Sequence, residues 1–403
     1  MLEFDFLVIG GGAAGYFAAI NAAQNFPNIK VAILEKNREV LQKVKVSGGG
    51  RCNVTNAITQ PIELIKNYPR GHDFLLEPFE RFGSKDVFTW FEKRGIRLKT
   101  EKDGRVFPES NSSQTIIDCF LYESKPIKLF TSERVENIVK NGSFWEVSTN
   151  SEKTFVAKNL LIATGSDKRI WEILTDLNFR IAPQAPSLFT FNIKDEKLND
   201  LQGVSFSACS VKILNSSFEQ SGPLLITHWG LSGPAILKLS AWAALELKAK
   251  DYVFKIAINW LPEIQKDKVL NEFRLNLEIN PKKNVLANPL FGLTARFWKY
   301  ICEKAGISEH QKWAETGKKH FQALSENLLS AQFDVNGKST FKEEFVTAGG
   351  IDLSEIDPET FSSKKHENLF FAGEILNIDA VTGGFNFQAA WTGGWHVARA
   401  LRF

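Results

Sequence analysis

Apolar residues fall into two textures along this chain. Some form short unbroken runs, at 6–9, 31–34, 160–163 and 369–372, the pattern of parallel strands covered on both faces. Others alternate with polar residues or recur at helical spacing. The first run leads into Gly10-Gly11-Gly12-Ala13-Ala14-Gly15, and small apolar residues to Ala23 then predict a helix. The second run stops at Glu35, about 20 residues after Gly15. Residues 60–95 predict helices, with Phe74, Leu75, Phe79, Phe82, Val87, Trp90 and Phe91 facing a core. A hairpin is expected about Lys102-Asp103-Gly104, then a serine-capped helix over 114–124. Alternating runs at 127–130, 134–139, 143–149 and 153–157 predict a small antiparallel meander.

Past Pro186 the texture changes. Strand-like runs (188–193, 204–214, 224–227, 253–258) precede helical ones (263–277, 292–304, 318–329). The expected plan is an α/β domain over 1–188, an inserted mixed β/α domain over 189–345, and a return to the first domain over 346–403.

The glycine turn carries the clearest chemistry. Gly10 permits a tight turn, Gly12 lets a pyrophosphate approach the backbone, and Gly15 lets the helix pack on the strand. The helix N-terminus offers free N–H groups and a positive dipole end to phosphates. Glu35 would accept hydrogen bonds from ribose hydroxyls, and its charge disfavours a 2′-phosphate there. Ser47-Gly48-Gly49-Gly50-Arg51-Cys52-Asn53 must be a loop, with Arg51 as a fixed cation and Asn53 and Asn56 as amide donors and acceptors. Cys52 has no histidine nearby in sequence and reads as a packed thiol. Ala163-Thr164-Gly165 ends one strand, and Ala372-Gly373-Glu374 ends another. Val381 to Gln388 then open a C-terminal helix whose N–H groups could face a flavin edge. His228, in a glycine-rich turn, is a candidate for proton transfer.

Composition narrows the class. The chain has 403 residues, 43% hydrophobic and 24% charged, with net charge +3, so two domains are expected and no nucleic-acid footprint. No apolar run is long enough to span a membrane, and Met1 leads into a core strand without a signal-like leader. Four scattered cysteines (52, 119, 209, 302) form no CxxC, which argues against a metal or dithiol site and suits a cytoplasmic protein.

Together, GGGAAG, SGGGRCNVTN (47–56), GRVFPESNSS (104–113), IATG (162–165), PSLFTF (186–191), THWGLSGPAIL (227–237), TAGGIDL (347–353) and FAGEILNIDAVTGGFNFQAAWTGG (371–394) resemble a family of bacterial FAD-dependent oxidoreductases. The family includes aminoacetone-oxidase-like and bile-acid-reductase-like (BaiN-like) flavoproteins. The resemblance implies a Rossmann-like FAD/NAD(P)-binding domain of glutathione-reductase type, and non-covalent FAD. Matched motif by motif, it implies FAD contacts from Gly10, Gly12, Ala14, Gly15, Glu35, Lys36, Arg51, Asn53, Val135, Thr164, Gly165, Gly373, Glu374, Asp379, Gly384, Asn386 and Phe387. The chain departs from the family after Gly165: Ser166-Asp167-Lys168-Arg169 replaces a longer glycine-rich segment, so the substrate side can differ.

The expected activity is hydride transfer between flavin N5 and a small organic substrate, an amine or an enone, in a cleft between the domains. O2 or a transiently bound NAD(P)H would be the other redox partner. Arg51 or the C-terminal helix would stabilise the anionic reduced flavin, and His228 would move the proton. The expected assembly is a monomer or homodimer with no nucleic-acid or membrane partner. A flavin-dependent RNA-modifying protein and a non-catalytic flavin-binding sensor are the alternatives.

Overall fold

The computed structural model describes residues 1–339 and 346–403. The chain divides into two compact units, Met1–Ala185 with Lys342–Phe403, and Pro186–Phe341. The expected second junction, at 345/346, borders residues outside those described.

A seven-stranded sheet organises the first unit. Its order is Lys128–Thr131, Val31–Glu35, Leu2–Ile9, Thr154–Ile162, Phe144–Thr149, Val135–Asn141, with Leu369–Phe371 also paired to Thr154–Ile162. The strand Thr154–Ile162 changes partner along its length. Residues 154–157 pair antiparallel with Phe144–Thr149, whereas 160–162 pair parallel with Leu369–Phe371. Burial follows the pairing: it alternates up to Lys158 and is continuous from Asn159 to Ile162, where both faces are covered. That switch made one strand read as two separate runs.

A second reading needs correction. The run at 127–130 is no part of the meander: Lys128–Thr131 lies parallel to Val31–Glu35 at the sheet edge. The remaining three strands form the antiparallel meander.

Helix Ala13–Asn25 packs along the C-terminal helix Phe385–Ala400. Gly394 makes this possible, since a Cβ there would come within 2.9 Å of the Ala14 carbonyl oxygen. Phe17, Trp90, Phe120 and Trp391 form an aromatic cluster around these helices, with Phe17 4.6 Å from Trp90 and 5.3 Å from Trp391 between ring centroids. Residues 60–95 form three α-helices, Pro61–Leu64, His72–Arg81 and Ser84–Glu92, with a 3-10 turn at Ile65–Asn67 after the first. Of the seven residues expected there to face a core, all are buried except Phe74, which is half-buried against Phe361.

The second unit is a closed antiparallel barrel of Thr190–Ile193, Gly230–Ser232, Glu219–Thr227, Ser205–Ile213, Val253–Asn259 and Ala331–Ser339, the last pairing back to the first. Alternating residues such as Val211, Ile213, Ile256, Ile258, Phe333 and Val335 point into its core. Helices Lys266–Ile279, Ala295–Lys304 and Lys318–Leu329 cover it and match the three predicted helical runs to within a few residues.

Candidate functional site

Register places the motifs of the first unit at one sheet edge. Ile9 is level with both Leu34 and Ile162, and Phe371 is level with Ile162. The segments that follow, Gly10 to Gly15, Glu35 to Lys36, Ala163 to Gly165 and Ala372 to Glu374, therefore emerge together at the C-terminal ends of four parallel strands. Ligands of open α/β sheets bind at such edges.

The turn is built as a cradle. Gly10 adopts φ +111°, and a Cβ there would overlap the Ala163 carbonyl. A Cβ on Gly15 would overlap the Gly10 carbonyl oxygen, so that helix and turn touch backbone to backbone. Gly12 differs: its φ of −95° suits any residue, and a Cβ would meet nothing within 4 Å. The space above Gly12 is open. Glu35 closes the other side, accepting from the Gly11 N–H (2.9 Å) and the Asn37 N–H (2.8 Å). Val135 begins its strand beside this point, because the Glu133 N–H donates to the Glu35 carbonyl. Lys36 pairs with Asp167 at 2.6 Å, joining Glu35 to the segment after Gly165. The buried Thr164 hydroxyl has no hydrogen-bond partner.

At the far end, the 47–56 loop is tied to the start of the C-terminal helix. With its amide oriented to satisfy both ends, Asn53 donates to the Thr55 and Val106 carbonyls and accepts from the Gly384 N–H at 2.9 Å. Asn56 donates to the Gly383 carbonyl, Thr55 to Gln388 (2.6 Å), and the Trp391 indole to the Val54 carbonyl (2.9 Å). Gly384 sits at φ +90°, and a Cβ there would overlap the Thr55 backbone. Asn386 clamps Ala380 with two hydrogen bonds (3.0 and 3.1 Å), and Phe387 stacks on Trp391 at 5.4 Å. Gly373 has φ +79° and lies against Ala14.

Charges here are engaged. Arg51 does not stand as a free cation: its guanidinium donates to Glu101 at 2.7 Å and lies over the Phe107 ring. Glu374 pairs with Lys43 and accepts from the Thr347 N–H. Asp379 is fully buried and bound in a two-pronged pair to Arg70. Arg70, Lys43 and Tyr68, whose hydroxyl donates to the Phe385 carbonyl at 2.6 Å, were not singled out from sequence. Each partner is more than 300 residues away, so no local pattern marks them. Burial pushes the Cys52 thiol up to about 12, against a small opposing hydrogen bond from Ser47, which leaves it protonated and packed. His228 belongs to the second unit, at an exposed hairpin tip with its ring against Trp229.

Among the described residues no cluster of His, Cys, Asp or Glu could hold a metal ion, and no helix is long and apolar enough to cross a membrane.

The family model described as HI0933-like protein Rossmann domain matches residues 4–400. The chain belongs to that family. It is 28% identical to a ribosomal RNA dihydrouridine synthase of Escherichia coli (strain K12), over 100% of this chain and 98% of the relative. It is 26% identical to the 3-dehydro-bile acid delta(4,6)-reductase of Clostridium scindens, over 98% of each. The resemblance to bile-acid-reductase-like proteins therefore holds. Among solved structures, the 3-ketosteroid delta1-dehydrogenase of Sterolibacterium denitrificans matches with a TM-score of 0.51 at 12% identity, covering 100% of this chain and 99% of that one. A flavocytochrome c3 fumarate reductase matches at 0.50 and 15%, covering 100% and 79%. These likenesses show the fold, a Rossmann-type α/β domain of the flavoprotein oxidoreductase kind.

Proposed function

We propose that the protein is an FAD-dependent oxidoreductase passing a hydride between flavin and an activated carbon–carbon double bond of a small enone. One observation carries the FAD part. Helices from opposite ends of the chain, Ala13–Asn25 and Phe385–Ala400, both start at a glycine with no side-chain cap and no acid in the first turn. Each leaves free N–H groups and about half a positive charge uncompensated, which suits an anionic, elongated cofactor. The open space over Gly12 and the unpartnered Thr164 hydroxyl fit the same group.

Bound there, FAD supplies the hydride donor and acceptor at N5. The chain's own residues bind and orient. Gly10, Gly12, Ala14 and Gly15 bring the helix N–H groups to the diphosphate. Glu35 keeps lone pairs for the adenosine ribose, and Lys36 and the Val135 backbone flank the adenine end. Thr164, Gly165, Gly373 and Glu374 line the ribityl side. Asn53, Asp379, Gly384, Asn386 and Phe387 shape the flavin end. With Arg51 paired to Glu101, the positive end of the C-terminal helix is the stronger stabiliser of negative charge at the flavin N1–C2=O edge. His228 is the residue proposed to move the proton. NAD(P)H, as a transient co-substrate, completes the cycle where the enone is reduced, and O2 completes it where the saturated ketone is oxidised to the enone.

The names of the relatives support a double bond as the reacting group. A delta(4,6)-reductase of a 3-dehydro-bile acid and a dihydrouridine synthase both act on a ring double bond conjugated to a carbonyl. They also favour a second reading, a uracil base in ribosomal RNA, since relatives from Escherichia coli and Haemophilus influenzae carry that name. Against it, a net charge of +3 gives little phosphate attraction.

The test is anaerobic: reduce the holoprotein with NADH or NADPH, then follow flavin re-oxidation by cyclic enones and by unmodified ribosomal RNA, with amines offered to the oxidised form. Rapid re-oxidation by an enone supports the first reading, and by RNA alone the second. Failure with every substrate would overturn both.

A further inference from the structure

Beside the 47–56 loop, two arginines share one carboxylate. Glu101 accepts from Arg51 on Oε1 at 2.7 Å and from Arg105 on Oε2 at 3.0 Å. Both guanidiniums lie over the Phe107 ring, 3.9 and 5.5 Å from its centroid. Arg105 has a second carboxylate, since its Nε donates to Asp103 at 2.7 Å. Arg51 has none among the described residues, and its Nε reaches only the Gly48 carbonyl, at a long 3.4 Å.

This sharing favours release of Arg51. If Arg51 lets go, Glu101 still holds Arg105, so no charge is stranded. The side chains of Arg51, Glu101 and Arg105 are 32%, 29% and 38% exposed, so water screens the pairs and each is weak. The backbone need not move, because the Glu101 N–H is bonded to the Arg105 carbonyl and Arg105 is in register with Asn56. Arg51 is also close to the start of the C-terminal helix. Asn53 accepts from the Gly384 N–H, and two residues of chain keep the Arg51 and Asn53 Cα atoms within about 7 Å.

We infer that Glu101 is a positioning residue that sets the flavin's reduction potential through Arg51. It holds Arg51 aside while the flavin is oxidised and uncharged. A hydride gained at N5 leaves one negative charge at the N1–C2=O edge, and Arg51 then turns to that charge while Glu101 stays on Arg105. The inference rests on the FAD reading above and names what tunes that site.

The experiment measures the midpoint potential of the holoprotein. Glu101→Gln removes the competitor for Arg51 and should favour reduced flavin two- to fivefold, the worth of a partly exposed ion pair. That is about 10–20 mV upward at 30 mV per decade. Arg51→Met should lower the potential, and Glu101→Gln added to Arg51→Met should then do little. Asp103→Asn, which removes a neighbouring charge without touching Arg51, should leave it unchanged. Crystals of the wild-type holoprotein give the second readout: Arg51 on Glu101 when oxidised, turned to the flavin after dithionite, with Arg105 on Glu101 in both. The visible spectrum shows that each variant keeps its FAD, and if Glu101→Gln does not, the wild-type crystals decide. An unmoved potential in Glu101→Gln, an equal shift in the Arg51→Met background or in Asp103→Asn, or Arg51 still on Glu101 in reduced crystals would each overturn this inference alone. A wild-type protein that binds no FAD would overturn the FAD reading and this inference with it.

Discussion

Gly12→Ala separates the fold of the glycine turn from its proposed work. In the protein itself the added methyl has room, because nothing lies within 4 Å and the backbone at φ −95° accepts an alanine. The structural cost is that of alanine at a helix N-cap, about 0.5–1 kcal/mol, or a fall of roughly 1–4 °C in Tm for a unit of this size. For FAD the same methyl stands where the diphosphate must meet the helix N–H groups. Losing one charge-assisted hydrogen bond costs about 1.5–3 kcal/mol, so Kd should rise about 10- to 150-fold. Apoprotein titrated with FAD by flavin fluorescence gives the affinity, and thermal unfolding of the apoprotein gives the stability. Gly15→Ala is the comparison: its Cβ would overlap the Gly10 carbonyl oxygen, so this variant should lose the fold itself. Wild-type FAD affinity in a folded Gly12→Ala protein would refute the placement of the diphosphate.

Three further outcomes follow from named contacts. Arg70→Met leaves the fully buried Asp379 carboxylate without its guanidinium, and chemical denaturation should show a loss of about 3–5 kcal/mol; no loss would mean the pair is not formed. Tyr68→Phe removes the 2.6 Å hydrogen bond to the Phe385 carbonyl and should cost about 1–2 kcal/mol by the same assay, with FAD released at lower temperature. Cys52 should resist iodoacetamide at pH 8 in the native protein and react once it is unfolded. Because burial lifts its thiol to about 12 while an unfolded thiol ionises near ~8.5, its contribution is intact below ~8.5 and is lost as pH rises toward 12. Cys52→Ala should therefore flatten the alkaline fall in stability, and an unchanged pH profile would contradict that assignment.

What sequence disclosed and what it hid divide along physical lines. The glycine turn and the buried parallel runs were legible because each signal is local: continuous apolar residues, a fixed glycine spacing, an acid at a strand end. Lys128–Thr131 was misplaced because an exposed edge strand has the same look whether its neighbour runs parallel or antiparallel. Ala331–Ser339 went unseen as a strand even though Ala331, Phe333 and Val335 alternate inward; its Asn336-Gly337 pair carries a turn signal, and Gly337 does adopt φ +104°. Gly230–Ser232 is too short to show a period. At the candidate site, the contacting backbone could be read from glycines and strand ends. The Asp379–Arg70 and Glu374–Lys43 pairs could not, since only folding brings their partners together. Arg51 illustrates the limit: sequence marks a cation in a glycine loop, but only the structure shows it turned to Glu101.

The central claim is that one FAD is held by two distant ends of this chain. A crystal structure of the full-length protein grown with FAD tests it most directly. The account predicts density for one FAD per chain, its diphosphate over Gly12 and its isoalloxazine ring at the start of the Phe385–Ala400 helix. Well-ordered crystals in saturating FAD with both glycine turns bare, or with FAD bound elsewhere, would contradict it.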